Sequence, residues 1–132
     1  MKLFEWIAYF FKNCCDRHRV LDKKVCAEMV EINHGKLELY YRISEIFKAN
    51  AYRLTKLIQS DLVNKDHENL FKHAHELKGA SLNIGAYQLA YWCNRICRKV
   101  EKEDFNNLNE DILKVTFSHI RVVKKIDEVI DR

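Results

Sequence analysis

The stretch Asp66-His67-Glu68-Asn69-Leu70-Phe71-Lys72-His73-Ala74-His75-Glu76-Leu77-Lys78-Gly79-Ala80-Ser81-Leu82-Asn83-Ile84-Gly85 reads as one helix with both ends written into it. Asp66 is an N-cap residue, whose side-chain oxygen accepts an orphan N–H of the first turn. Gly85 closes the other end, where a left-handed residue ends a helix cheaply. Between them Leu70, Ala74, Leu77, Ser81 and Ile84 recur at three and four residues and share one face. A helix with one such face needs neighbours to bury it.

Working outward, the chain supplies them. Upstream, Leu39, Ile43, Ile46, Phe47, Leu54, Leu57, Ile58 and Leu62 mark a long amphipathic helix from Leu37 to about Val63, ended by the turn Asn64-Lys65-Asp66. Before it, Asp22 caps a short helix carrying Val25, Met29, Val30 and Ile32, which stops at Asn33-His34-Gly35. Downstream, Leu89, Ala90, Cys93, Ile96 and Val100 lie on one stripe from Ala86 to about Lys102. Asn106-Asn107-Leu108-Asn109 separates it from a last helix with Ile112, Val115, Ile120, Val123, Ile126 and Ile130. A first helix is expected from Leu3 to Asn13, ended by the polar stretch Asp16 to Arg19. Short polar turns between long amphipathic helices favour antiparallel neighbours. The expected fold is all-α, an antiparallel up-and-down four-helix bundle with one or two additional N-terminal helices.

Composition agrees with this. The 132 residues include no proline and three glycines, with 48% apolar and 32% charged residues. That is one domain's length with enough apolar material for a core, and it excludes collagen, low-complexity linkers and glycine-punctuated β-sandwiches. The net charge of +4 is mild and the signs are mixed along the chain, which makes no case for nucleic acid. Five cysteines, Cys14, Cys15, Cys26, Cys93 and Cys97, form no disulfide framework and read as reduced thiols of a cytoplasmic protein. The opening MKLFEWIAYFF mimics a secretion signal, but Glu5 interrupts it and no small-x-small site follows. It is also shorter than the ~20 apolar residues that span a bilayer. Its Phe4, Trp6, Ile7, Tyr9, Phe10 and Phe11 are expected to pack on the bundle, in preference to dimerisation or membrane contact through residues 3–13.

The capped helix breaks one of its own rules. Gly79 lies in its interior, where glycine costs about 1 kcal/mol relative to alanine. It sits one turn after His75 and on the same outer side, with Phe71, Lys78 and Leu82 around it. A mid-helix glycine with no turn to make marks a close approach to the backbone, and an outward one marks a visiting partner. His75 offers a nucleophilic ring nitrogen, Lys78 a positive charge for an added phosphoryl group, and Phe71 with Leu82 a small apolar docking patch. Metal binding is not expected: His73 and His75 diverge by about 200° on a helix, and His75-Glu76 lacks the second histidine of H-E-x-x-H. Cys93 and Cys97, four apart, read as core residues. His18, His34, His67, His73 and His119 read as surface residues, and Lys72, Arg95, Arg98 and Lys99 as a solvated face able to steer an acidic partner.

The segment His75-Glu76-Leu77-Lys78-Gly79-Ala80-Ser81-Leu82-Asn83-Ile84-Gly85-Ala86 resembles the phosphoacceptor segment of histidine-containing phosphotransfer (HPt) domains, whose pattern is H-x-L-K-G-S-S-x-x-L-G-A. The resemblance covers roughly Val20 to the C-terminus and departs at Ala80, where serine is common. It implies an HPt helical bundle domain over residues 20–132, with residues 1–19 as an apolar helical extension. It further implies that His75 accepts a phosphoryl group from an aspartate of one response-regulator receiver domain and passes it to another. A hybrid sensor histidine kinase would stand upstream. Lys78 would be the charge partner of the phosphate and Gly79 the gap that admits the receiver. Family members often place a glutamine near the imidazole from the next helix. Here that stretch reads Asn94-Arg95-Ile96-Cys97-Arg98-Lys99, which leaves Asn94 or Arg98 for the position. The implied protein is a phosphocarrier with no cofactor and no kinase domain, since the glycines lack the spacing of a nucleotide-binding loop. The alternative is a non-catalytic helical adaptor that binds a receiver or kinase and carries no phosphate.

Overall fold

The computed structural model describes residues 19–35 and 37–130. The helix expected over residues 3–13, together with Cys14, Cys15 and His18, lies outside the described residues. Every regular element described is an α-helix: α1 (Lys23–Ile32), α2 (Glu38–Val63), α3 (His67–Ile84), α4 (Tyr87–Glu101) and α5 (Leu108–Ile130). The cap chemistry sets the boundaries. Asp22 accepts from the Lys24 N–H at 2.8 Å, and Asp66 accepts from the Asn69 N–H at 3.1 Å. Those contacts from Asn69 hold the Asp66 carboxyl below the usual carboxylate range.

Cross-helix contacts run in opposite order along each neighbouring pair, which makes the bundle antiparallel throughout. Lys48 reaches Asp127 while Gln59 reaches Thr116, and Arg53 reaches Glu76 while Asp61 reaches His73. Asn94 meets Lys78 while Cys97 meets Phe71, and Gln88 meets Arg121 while Arg95 meets Asp111. So α2, α3, α4 and α5 form a four-cornered bundle, and α1 lies against α2 and α3. Leu54, Ile58, Leu70, Leu77, Ile84, Leu89, Ile96, Val115 and Ile126 are fully buried along its axis. Each such side chain contributes about 1.5–3 kcal/mol relative to exposure. The core begins upstream of the bundle proper, with Val20 and Leu21 buried in it.

Two stripes read from spacing are corrected. Ile46 is 70% exposed, because the stripe that α2 turns to the core runs Tyr40, Ser44, Phe47, Ala51, Leu54 and Ile46 lies off its edge. On α5 the buried line runs Val115, Ser118, Val122, Ile126, which leaves Ile120 exposed and Val123 at the edge. The step from Val115 to Ile120 spans five residues and leaves the helical register. Cys26, Cys93 and Cys97 are free and buried, and burial pushes the Cys26 thiol up to about 12.

Polar side chains pin the corners. His73 faces inward, and its Nδ1–H donates to Asp61 Oδ2 at 2.6 Å between α3 and α2. Arg95 and Lys99, expected as solvated cations, both pair with the buried Asp111 of α5. His67 stacks on Phe105 with ring centroids 3.8 Å apart. His119 is half-buried, with Nε2 enclosed. His73 and His119 are therefore structural, and of the described histidines read as surface residues only His34 is fully solvent-facing.

Burial, aided by the charge of Lys56, holds the His119 imidazole below its usual pKa. The unfolded chain then binds the proton more readily, so this residue's contribution is present above the unfolded pKa of about 6.5 and is lost as pH falls toward the folded value. Urea unfolding between pH 7.5 and 5.5 is expected to show a shallower loss of stability in His119→Gln than in wild type. An identical slope would remove His119 as the cause.

Gly85 joins α3 to α4 at φ +81° and is also crowded. A Cβ there would meet Asp22 Cβ at 3.0 Å and Val25 Cβ at 3.1 Å, while the Gly85 carbonyl accepts the Asp22 N–H at 2.8 Å. Gly85→Ala is expected to lose about 2 kcal/mol in denaturant titration through left-handed strain and crowding together. An unchanged midpoint would show that the α1 entry relaxes freely.

Candidate functional site

The two faces of α3 do different work. Leu70, Ala74, Leu77, Ser81 and Ile84 are buried, and Ser81 Oγ donates to the Leu77 carbonyl at 2.7 Å, so its hydroxyl needs no partner from another helix. His75 lies on the outer face, exposed to solvent. Its ring is parallel to that of Phe71 one turn earlier, with centroids 5.9 Å apart and planes within 5°. Phe71 packs against the core, so it gives the imidazole a fixed neighbour. One turn further on, a Cβ built on Gly79 meets nothing within 4 Å. The backbone beside the histidine is open, and the fold makes no packing use of that glycine.

Lys78 leaves this face for the cleft between α3 and α4. Its Nζ donates to Asn94 Oδ1 at 3.0 Å. The Cys97 thiol lies on the same side, with Sγ 3.8 Å from the Phe71 carbonyl. Burial pushes that thiol up to about 11, while the positive charge of Lys78 pulls it the other way. On the opposite flank, Arg53 of α2 holds the carboxylate of Glu76 at 3.1 Å, drawing it toward α2 and off the outer face.

The expected site residues thus fall into two groups. His75, Phe71 and Leu82 share the outer side of α3, where Leu82 is 44% exposed, while Lys78 of the same helix turns into the adjoining cleft. Asn94 joins them through Lys78 and not through the imidazole. Arg98, one turn beyond Asn94, lines an open hollow of about 260 Å³ on the outer face of α4, shared with Asn94, Arg95, Lys99 and Lys102. Lys72 is exposed on α3 and takes no part in the Lys78–Asn94 contact. Sequence reasoning missed Arg53 and read Cys97 as a core residue, which it is, without its contact to the Phe71 carbonyl; both enter from other helices. No group of three or more His, Cys, Asp or Glu among the described residues is arranged to hold a metal ion. No described helix is long and apolar enough to cross a membrane.

An exposed imidazole next to an open stretch of backbone, with a cation held from the same helix at the adjoining cleft, is suited to taking on an anionic group delivered by a large partner. The comparisons agree with that class. The Hpt domain family matches residues 42–130, most of the chain, and the chain belongs to this family of histidine phosphotransfer proteins. The fold is that of solved members. Histidine-containing phosphotransfer protein B (HptB) from Pseudomonas aeruginosa PAO1 superimposes with a TM-score of 0.79 at 22% identity, over 88% of this chain and 96% of that one. The histidine-containing phosphotransfer protein MtHPt2 from Medicago truncatula gives 0.82 at 15% identity, over 98% and 86%. A putative histidine-containing phosphotransfer protein from rice gives 0.78 at 13%, over 98% and 93%. Among curated proteins, none matches the sequence significantly.

Proposed function

We propose that this protein is a cytoplasmic phosphocarrier of a multistep phosphorelay and that His75 is its phosphoacceptor. The observation that carries the reading is the exposed imidazole stacked on Phe71, with open space over Gly79 on the same face. A lone pair of the His75 ring attacks the phosphorus of an aspartyl phosphate on a response-regulator receiver. The N–P bond forms, the P–O bond to the aspartate breaks, and the carboxylate leaves with the electron pair. The proton on the other ring nitrogen stays. The reverse sequence delivers the phosphoryl group to an aspartate of a second receiver, and a hybrid sensor histidine kinase feeds the first.

Phosphoryl transfer asks mainly for positioning and charge stabilisation, so a bundle that presents one nucleophile and one cation is enough. Lys78 neutralises charge on the transferring group, while Phe71 and Leu82 give the receiver an apolar foothold. The cations at the hollow by Arg98 raise the rate of encounter with an acidic partner more than the affinity. The carrier domain extends from Val20, whose side chain is already in the core. Incubation with a phosphorylated, radiolabelled receiver is expected to place acid-labile phosphate on the protein, and a second receiver to remove it. Receiver binding that persists after His75→Ala, with no phosphate ever found on the protein, would make it an adaptor instead.

A further inference from the structure

Lysine is a poor fixed electrode. Its four-carbon stem carries up to about 2 kcal/mol of rotamer entropy, and a free ammonium spends its time in water away from any one neighbour. Lys78 is not free. It is half-buried in the α3–α4 cleft, where Asn94 Oδ1 takes one of its three N–H donors at 3.0 Å. Cys97 senses its charge, and the Cys97 thiol touches the carbonyl of Phe71, the residue on which His75 stacks. Asn94 thus takes one donor of an ammonium that belongs to the residue three places after His75 on the same helix, with two donors left over.

We infer that Asn94 is a positioning residue for phosphotransfer: it holds the Lys78 ammonium against the α3–α4 cleft so that its two remaining N–H groups face the phosphoryl group arriving at His75. This rests on the phosphocarrier reading and adds to it a residue that acts only through Lys78. Two features separate Asn94 from a mere surface amide. Its acceptor is spent on the lysine rather than on the histidine, and an uncharged acceptor can hold the cation without repelling phosphate, which a carboxylate at the same place would do. Arg98 lies one turn beyond, with no charged partner among the described residues, and does not share this contact.

The test uses the full chain and phosphoramidate, a small donor that needs no docking surface. In that reaction the donor's P–N bond breaks as the His75 N–P bond forms, and ammonia departs with the proton of the protonated donor. Asn94→Ala is expected to slow formation of phosphohistidine on the order of tenfold, Asn94→Gln to restore most of the rate, and Asn94→Asp to hold the lysine yet remain slow. In a Lys78→Ala background, Asn94→Ala should change nothing further, since its only route is gone. An equal loss in both backgrounds, or none in the first, overturns the inference. The tether itself is read separately, from the NMR signals of the Lys78 ε-methylene. They should lose their dispersion in Asn94→Ala, and unchanged signals overturn the inference even in protein that takes no label. Wild-type protein that takes no phosphate from phosphoramidate or any receiver would instead sink the phosphocarrier reading.

Discussion

His75→Gln protein, mixed with a phosphorylated receiver domain, is expected to carry at least about a hundredfold less acid-labile phosphate than wild type, because the amide nitrogen of glutamine has no free lone pair to offer phosphorus. The fold should not notice. His75 is exposed and stacks on the Phe71 ring, so the change in stability should stay within about 1 kcal/mol, the worth of a ring stack. Far-ultraviolet circular dichroism and a urea midpoint check that half of the prediction. The other described histidines explain why no substitute is at hand. His73 points inward on Asp61, His119 is half-buried with its Nε2 enclosed, His67 is covered on one side by Phe105, and His34 stands on the turn after α1. Label that survives His75→Gln at the wild-type level would remove His75 as the acceptor and direct the search to His67 or His34.

The parts of this molecule that could be read from the sequence are those whose cause is local. Asp22, Asp66 and Gly85 mark helix ends through contacts made within three or four residues, and they stand where their chemistry puts them. The candidate site was legible for the same reason: Phe71, His75, Lys78, Gly79 and Leu82 lie on one helix, and helical periodicity alone puts them on one side. What depends on a second helix was not legible. Ile46 and Ile120 are apolar, yet the stripes that the neighbouring helices cover run through Ser44 and Phe47 on α2 and through Val115 and Ser118 on α5, which leaves both isoleucines in solvent. Asp61 and Asp111 are polar and buried, each rescued by a cation or imidazole from another helix, and hydropathy counts against both. Asn94 was reachable as a residue near the site. Its bond to Lys78, and not to the imidazole, follows from the register of α4 against α3, which no single-helix pattern contains.

Gly79→Gln is expected to move stability and transfer in opposite directions, and that opposition is what distinguishes an access gap from a packing device. A Cβ at this position meets nothing within 4 Å and the backbone there is ordinary helix, so the protein tolerates a side chain without strain. Replacing a mid-helix glycine by a good helix former should therefore raise stability by about 0.5–1 kcal/mol in urea titration. The same side chain stands one turn from His75, on the face a receiver must reach, and holds the donor back by more than an ångström. Misplacement on that scale costs on the order of a hundredfold in a reaction that depends on alignment. The rate from a phosphorylated receiver should fall by about that factor, while the rate from phosphoramidate, which needs little room, falls far less. A stabilised protein with undiminished receiver transfer would show that the gap is not used. Loss of stability would reveal a packing role for Gly79, and equal slowing with both donors would place the effect on the imidazole itself.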